Sequence, residues 1–191
     1  MATVPANYIS PEEYLERERE AETRSEYVRG ETFAMAGASI RHAIIISNLV
    51  LEIGAQLRTR NCNVFSTDLR LAVNPAGMYT YPDVMVVCGD PVTIDKHNDT
   101  IVNPVVIVEV LSDSTKNYDR GQKFQYYRML SSLKEYVTVA QDEIHLERHI
   151  RGNAGEWILT EFGKLEDVVE LQSINASLPL SEVYRRIDFT N

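Results

Sequence analysis

The sequence predicts an α/β fold in which a mixed β-sheet is flanked by helices. Three observations predict it. Residues 81–88 and 105–111 are near-continuous β-branched runs, the mark of strands buried on both faces. Between Ser39 and Leu57, apolar residues recur at helical spacing at Ala43, Ile46, Leu49, Val50, Ile53 and Leu57, so a helix should lay that face on a sheet. Helix, strands, helix and strands then follow one another, the order of an α/β sandwich.

The elements can be justified in turn. Ser10 can cap a helix with Pro11 in its first turn and Glu13 completing a capping box, and this helix should run to about residue 23 on the surface. Residues 25–35 alternate around Arg29-Gly30 and read as a hairpin. Ser39 caps the second helix. Residues 62–67 and 69–73 read as short strands before the turn Asn74-Pro75-Ala76-Gly77. After the two buried strands, Asp119 can cap a helix over about residues 120–130. Strands follow at 135–140, 143–150, 156–162 and 168–172, with Gly152 and Gly155 in a hairpin loop and a short helix near 181–186.

The 191 residues carry 19 Lys plus Arg against 28 Asp plus Glu, a net charge of −9, with 44% hydrophobic residues. That is globular composition, and one domain over residues 1–191 is the expectation. The acidic balance excludes a general nucleic-acid coat protein, which needs a basic excess to displace counterions. No apolar run approaches the roughly 20 residues of a membrane span. The first residues resemble neither a secretory leader nor a transit peptide, so a cytoplasmic protein is expected. Cys62 and Cys88 lie in unrelated segments and read as small buried apolar residues, not as a disulfide or a metal knuckle.

Two strands carry a carboxylate where a core strand should not. Asp83 follows Pro82 at the head of Val84-Met85-Val86-Val87, and Glu109 ends Val105-Val106-Ile107-Val108. A buried lone carboxylate is costly unless it is paired, protonated or metal-bound. Two that converge raise each other's pKa unless a cation lies between them. Mg²⁺ or Mn²⁺ answers this need, because a hard cation takes one or two carboxylates and fills its other positions with water and substrate oxygens. The plainer alternative is a strand end at solvent or an arginine partner. Lys123, near a helix start, could aim its ammonium at these strand ends, while Gln122 and Tyr126 share a helical face as a polar ledge. A lone helical lysine is more often a solvated charge.

Taken together, Tyr81-Pro82-Asp83, the run Val108-Glu109-Val110-Leu111-Ser112-Asp113-Ser114-Thr115, and Tyr118-Asp119-Arg120-Gly121-Gln122-Lys123-Phe124 resemble the Uma-type restriction endonuclease family of bacteria, within the PD-(D/E)xK nuclease superfamily. The resemblance takes in Glu26-Tyr27-Val28-Arg29-Gly30-Glu31, the segment from Met35 to Ser39, His42 and Glu135-Tyr136, and spans about residues 11–157. It implies a restriction-endonuclease-like core and a Mg²⁺- or Mn²⁺-dependent endonuclease acting on DNA. Asp83 and Glu109 correspond to the metal ligands, with the Val110 carbonyl as a further one. The sequence departs from the superfamily at position 111, where Leu replaces the usual Lys; the resemblance implies that Lys123 takes over its role. Leu111 and the net charge favour an alternative, a non-catalytic DNA- or protein-binding module that keeps the fold. A small-molecule α/β enzyme would need a phosphate-cradling glycine loop or a nucleophile elbow, and neither is present.

Further residues are candidates. His42 could line the cleft or meet Glu26 or Glu31, and could equally serve a cap or the core. His145, Glu147 and His149 alternate on one strand face and could in principle bind zinc. Arg58, Arg60, Lys116, Arg120 and Arg128 could form a basic rim for DNA phosphates, or a solvated surface. Tyr118, Tyr126 and Tyr127 could stack on bases, or serve as amphipathic core edges. Double-strand cleavage by a one-site protein normally needs two copies, so a homodimer is expected.

Overall fold

The computed structural model describes residues 8–35 and 37–190. The leader reading rests on residues 1–7, and Ala36 belongs to a matching segment; all of these lie outside the described residues. Helix α1 (Pro11–Glu20) starts where Ser10 Oγ accepts the Glu13 N–H. It stops three residues before the expected end and is not wholly a surface element, because Tyr14 and Leu15 are buried. Strands β1 (Ser25–Val28) and β2 (Glu31–Ala34) form the expected hairpin. Arg29 and Gly30 both take positive φ, 50° and 101°, as a two-residue turn between twisted strands demands.

Helix α2 (Ile40–Leu57) is capped by Ser39, whose Oγ accepts the His42 N–H. Its buried stripe is Ile45, Asn48, Leu49, Ile53 and Leu57. The expected face is therefore rotated: Ala43 is exposed, and Ile46 and Val50 lie at its margin. Consecutive isoleucines at 44–46 let several helical registers fit the apolar pattern, and packing selects Ile45. Among the described residues α2 is the one helix long and apolar enough to suit a membrane span by composition. Here its apolar face packs on a sheet.

Strands β3 (Cys62–Ser66), β4 (Arg70–Val73), β5 (Met78–Thr80), β6 (Val84–Cys88), β7 (Thr100–Ile101) and β8 (Val106–Leu111) follow. Beyond them come α3 (Lys116–Tyr118), a π-helical turn over Asp119–Lys123, and α4 (Phe124–Tyr127). Asp119 is thus inside a continuous helical segment and does not cap it; the chain is already helical at Lys116. Strands β9 (Glu135–Ala140), β10 (Leu146–Arg151), β11 (Trp157–Phe162), β12 (Val168–Leu171) and β13 (Ala176–Pro179) lead to α5 (Leu180–Val183).

The fold is mixed α/β. A six-stranded sheet runs β11-β10-β9-β8-β6-β3, with β8 and β9 parallel and every other neighbouring pair antiparallel. A second sheet runs β2-β1-β5-β4-β7, and β12 pairs with β13. On one face of the large sheet, Ile45, Leu49 and Ile53 of α2 meet Val84, Val86, Val106, Val108, Val137 and Val139. On the other, Met85, Val87, Ile107 and Tyr136 meet Phe124 and Tyr127. Between Thr80 and Val84 the chain leaves one sheet and enters the other, and Asp83 lies in that crossing.

The cysteine reading is corrected. Cys62 and Cys88 are directly opposed across β3 and β6 and form a disulfide. Strand pairing joins segments that look unrelated in the sequence.

Candidate functional site

The register of β6 against β8 pairs Val84 with Val108, which brings Asp83 beside Glu109. Each carboxylate accepts a backbone N–H from the facing segment. Val110 N–H donates to Asp83 Oδ2 at 2.7 Å, and Asp83 N–H donates to Glu109 Oε2 at 3.3 Å. The side chains open into one cleft of about 810 Å³, walled by the β1–β2 hairpin, the start of α2 and the segment entering α3.

Lys123 enters from the π turn. Its Nζ lies 3.0 Å from Glu109 Oε1, 3.0 Å from Glu26 Oε1 and 3.5 Å from Asp119 Oδ1. The Tyr127 hydroxyl donates to Glu109 Oε1 at 2.7 Å, and the Thr80 hydroxyl donates to Glu26. Lys123 and Asp119 are both buried, with 6% and 3% of their surface exposed. A buried ammonium persists here only because carboxylates surround it. Burial alone would lower its pKa, but Glu109, Glu26 and Asp119 hold it well above the usual lysine range. Burial pushes the Glu109 carboxyl up to about 8, with Asp83 and Asp119 adding to the rise and Lys123 opposing it. Burial, Glu26 and Asp83 also raise Asp119 against the pull of Lys123.

Of the placements open to His42, the structure puts it on the cleft wall, with its ring on Asp83 and Val110 instead of Glu26 or Glu31. Its backbone is tied to the Ser39 cap, and its ring turns toward β8. Nε2 lies 3.0 Å from the Val110 carbonyl and 3.3 Å from Asp83 Oδ2, so Nε2 carries the proton that both acceptors require. Gln122 lines the cleft and donates to the Tyr126 hydroxyl at 2.7 Å, the polar ledge expected from their spacing.

None of the five candidate rim residues, Arg58, Arg60, Lys116, Arg120 and Arg128, lines the cleft. Among the described residues lining the cleft, Lys123 is the one lysine and no arginine is present. Arg60 instead bonds the carbonyls of Ile174 and Asn175, Lys116 pairs with Asp113, Arg120 pairs with Glu147, and Arg128 covers the Phe124 ring. Tyr127 is fully buried and Tyr126 nearly so, so neither offers a face to a base, whereas Tyr118 lines the cleft. Asp119 and Tyr127 are partners of Lys123 that the sequence reading missed. Their spacing, four residues to either side of Lys123, was the available signal.

The donor set suits a hard divalent cation. Glu26, Asp83, Glu109 and Asp119 crowd one region against a single ammonium, and the Glu109 pKa is raised mainly by burial, with the neighbouring carboxylates adding to it. Asp83, Glu109 and the Val110 carbonyl offer oxygen donors only, the preference of Mg²⁺ and Mn²⁺. Away from this cleft, ligand atoms of His145, Glu147 and Glu161 all lie within 4.8 Å of one another, so this cluster could hold a metal ion. His149, the third residue expected there, instead packs its ring against Phe124 with centroids 4.4 Å apart.

The model of the Uma2 family, described as "Putative restriction endonuclease", matches residues 11–181. The chain belongs to the Uma2 family. Two relatives from Synechocystis sp., uncharacterized proteins sll1609 and slr1290, are similar to this Uma2 chain. The first is 34% identical over 161 residues, covering 84% of this chain and 91% of the relative. The second is 33% identical over 187 residues, covering 98% and 97%. The Uma2 fold is also that of a crystal structure described as "a putative nuclease belonging to DUF820 from Anabaena variabilis ATCC 29413", with a TM-score of 0.77 at 18% identity, covering 92% of this chain and 97% of that one.

Proposed function

We propose that this Uma2 protein is a Mg²⁺- or Mn²⁺-dependent endonuclease that hydrolyses phosphodiester bonds in DNA, built as one domain and acting as a homodimer in the cytoplasm. In a reducing cytoplasm Cys62 and Cys88 would stand as opposed thiols. The observation that carries the reading is Lys123 Nζ at 3.0 Å from Glu109 Oε1, in the cleft that Asp83 also enters. The helix thereby supplies the ammonium that the strand lacks at Leu111.

Asp83 and Glu109 would hold the cation, with the Val110 carbonyl beside them. The cation, when bound, would activate a water and polarise the scissile phosphate. The chain's own groups then have distinct tasks. Tyr127 and Lys123 fix one oxygen of Glu109, and Val110 N–H and His42 Nε2–H fix one oxygen of Asp83. Lys123 is placed to offset negative charge building on the phosphate. Glu26 and Asp119 keep that ammonium protonated and aimed into the cleft. Gln122 adds a polar contact at the wall.

The test is nicking of supercoiled plasmid by purified protein with Mg²⁺ or Mn²⁺. Wild type should nick and Asp83→Ala should not. Nicking that Asp83→Ala retains would overturn the reading. The second reading, a binding module that keeps the fold, draws on the acidic cleft wall and on Leu111, which is buried. It predicts DNA or protein binding without cleavage in wild type, unchanged in Asp83→Ala.

A further inference from the structure

We propose a second cation site, separate from the cleft, in which His145, Glu147 and Glu161 take a borderline transition-metal ion of the Zn²⁺ class. It does not rest on the nuclease reading. Strand alternation puts His145 and Glu147 on one face, and the register of β10 against β11 sets Glu161 directly opposite Glu147. Like charges directly opposed across a strand pair are destabilising unless something lies between them. Here an imidazole closes the group: His145 Nε2 is 3.3 Å from Glu161 Oε1, and all three ligand atoms fall within 4.8 Å of one another.

Glu147 is also held as a ligand's outer partners hold it. The Thr138 hydroxyl donates to its Oε2 at 3.0 Å, and Arg120 Nε straddles the carboxylate, 3.0 Å from Oε1 and 3.2 Å from Oε2. Arg120 balances one of the two carboxylate charges. One net negative charge and a nitrogen donor remain. This mixture favours Zn²⁺, Co²⁺ or Ni²⁺ over Mg²⁺, whose sites are all oxygen. Three protein ligands leave the fourth tetrahedral position to water or to an incoming group. Sharing Glu147 with Arg120 sets the affinity below that of a buried structural zinc.

The site cannot be the second half of a two-metal centre in the cleft. Register aligns Glu109 with Thr138, Thr138 with Glu147 and Glu147 with Glu161, a polar row across four strands. Glu147 therefore lies two strands from Glu109, roughly 10 Å at the usual strand spacing. Paired catalytic metals sit about 4 Å apart.

The test is titration of tag-free protein with Zn²⁺ by calorimetry, repeated with Co²⁺ to read imidazole ligation by absorption. Four proteins are compared: wild type, Asp83→Ala, His145→Ala and Glu161→Gln. Glu161 is exposed, so its variant should fold even if His145→Ala does not. The expected result is Zn²⁺ binding that Asp83→Ala retains and that His145→Ala and Glu161→Gln weaken about tenfold or more. Absence of Zn²⁺ binding in wild type, equal binding in all four, or loss in Asp83→Ala alone would overturn the site. Loss in Asp83→Ala alone would place the ion in the cleft instead, and plasmid nicking is read in a separate assay, so the two proposals fail separately.

Discussion

Val106, Val108 and Val110 of β8 turn toward α2, where they meet Ile45, Leu49 and Ile53 in an apolar core. Ile107 and Glu109, alternate residues of the same strand, turn toward the α3–α4 segment, where Glu109 meets Lys123 and Tyr127. Both faces are buried to nearly the same degree. One is held by apolar contact and tolerates changes of pH. The other is held by charges that must stay balanced. Two opposite environments one residue apart follow from the period-2 geometry of a strand, which lets a fold keep an apolar core on one side and charged groups on the other.

Several substitutions would sharpen or break that contrast. Lys123→Ala should have the largest effect, cutting nicking by about 10²-fold or more while leaving the α2 face untouched. Since Lys123 is buried among Glu26, Glu109 and Asp119, the variant should also lose stability at neutral pH and recover part of it in acid, where the carboxylates take up protons. Lys123→Arg should rescue little, because a planar guanidinium does not fit a compact ammonium site. Nicking at wild-type rate in Lys123→Ala would show that another group does this work.

On the apolar face, Leu49→Ala should cost about 3 kcal/mol in denaturant unfolding and leave cleavage per folded molecule unchanged. A loss of turnover larger than the loss of folded protein would mean the two faces are coupled.

Glu109 supplies the pH test. Its folded pKa, about 8, is above the ordinary carboxylate value, so the folded chain keeps a proton that the unfolded chain has released. Its contribution to stability is therefore present in acid and declines as pH rises from about 4.5 to about 8 in metal-free protein. Glu109→Gln should remove that slope in thermal melts taken across the interval. A cation bound to Glu109 must displace the proton, so wild-type Mn²⁺ affinity should climb over the same range. A flat affinity profile would count against Glu109 as a ligand.

Tyr127→Phe should be the mildest change. It removes one hydroxyl from Glu109 Oε1 and should cost about 1 kcal/mol, with a small loss of Mn²⁺ affinity.

The legible parts of the molecule were those written in short-range chemistry. Ser10 and Ser39 announced both helix starts, Arg29-Gly30 announced the hairpin, and carboxylates in β-branched runs announced Asp83 and Glu109. The short strands β5, β7 and β13 were not legible, since two to four residues carry too little alternation to separate them from loop. The Cys62–Cys88 pair depends on a register that only the assembled sheet supplies. Asp119 misled because a capping residue and an acid buried in a π turn look alike in a sequence. The scattered arginines misled for a related reason: local charge says nothing of which partner a long side chain will find.

The π turn at Asp119–Lys123 also bears on how such a site can change. Such turns accommodate one residue more than an α-helix would, and each residue of an α-helix advances the phase by about 100°. Deleting a single residue there would let the segment relax to ordinary α geometry while swinging the ammonium or its acidic partner out of line with Glu109. Chain length at this turn is thus a control in its own right: one codon gained or lost could arm or disarm the cleft with every side chain of the site still present.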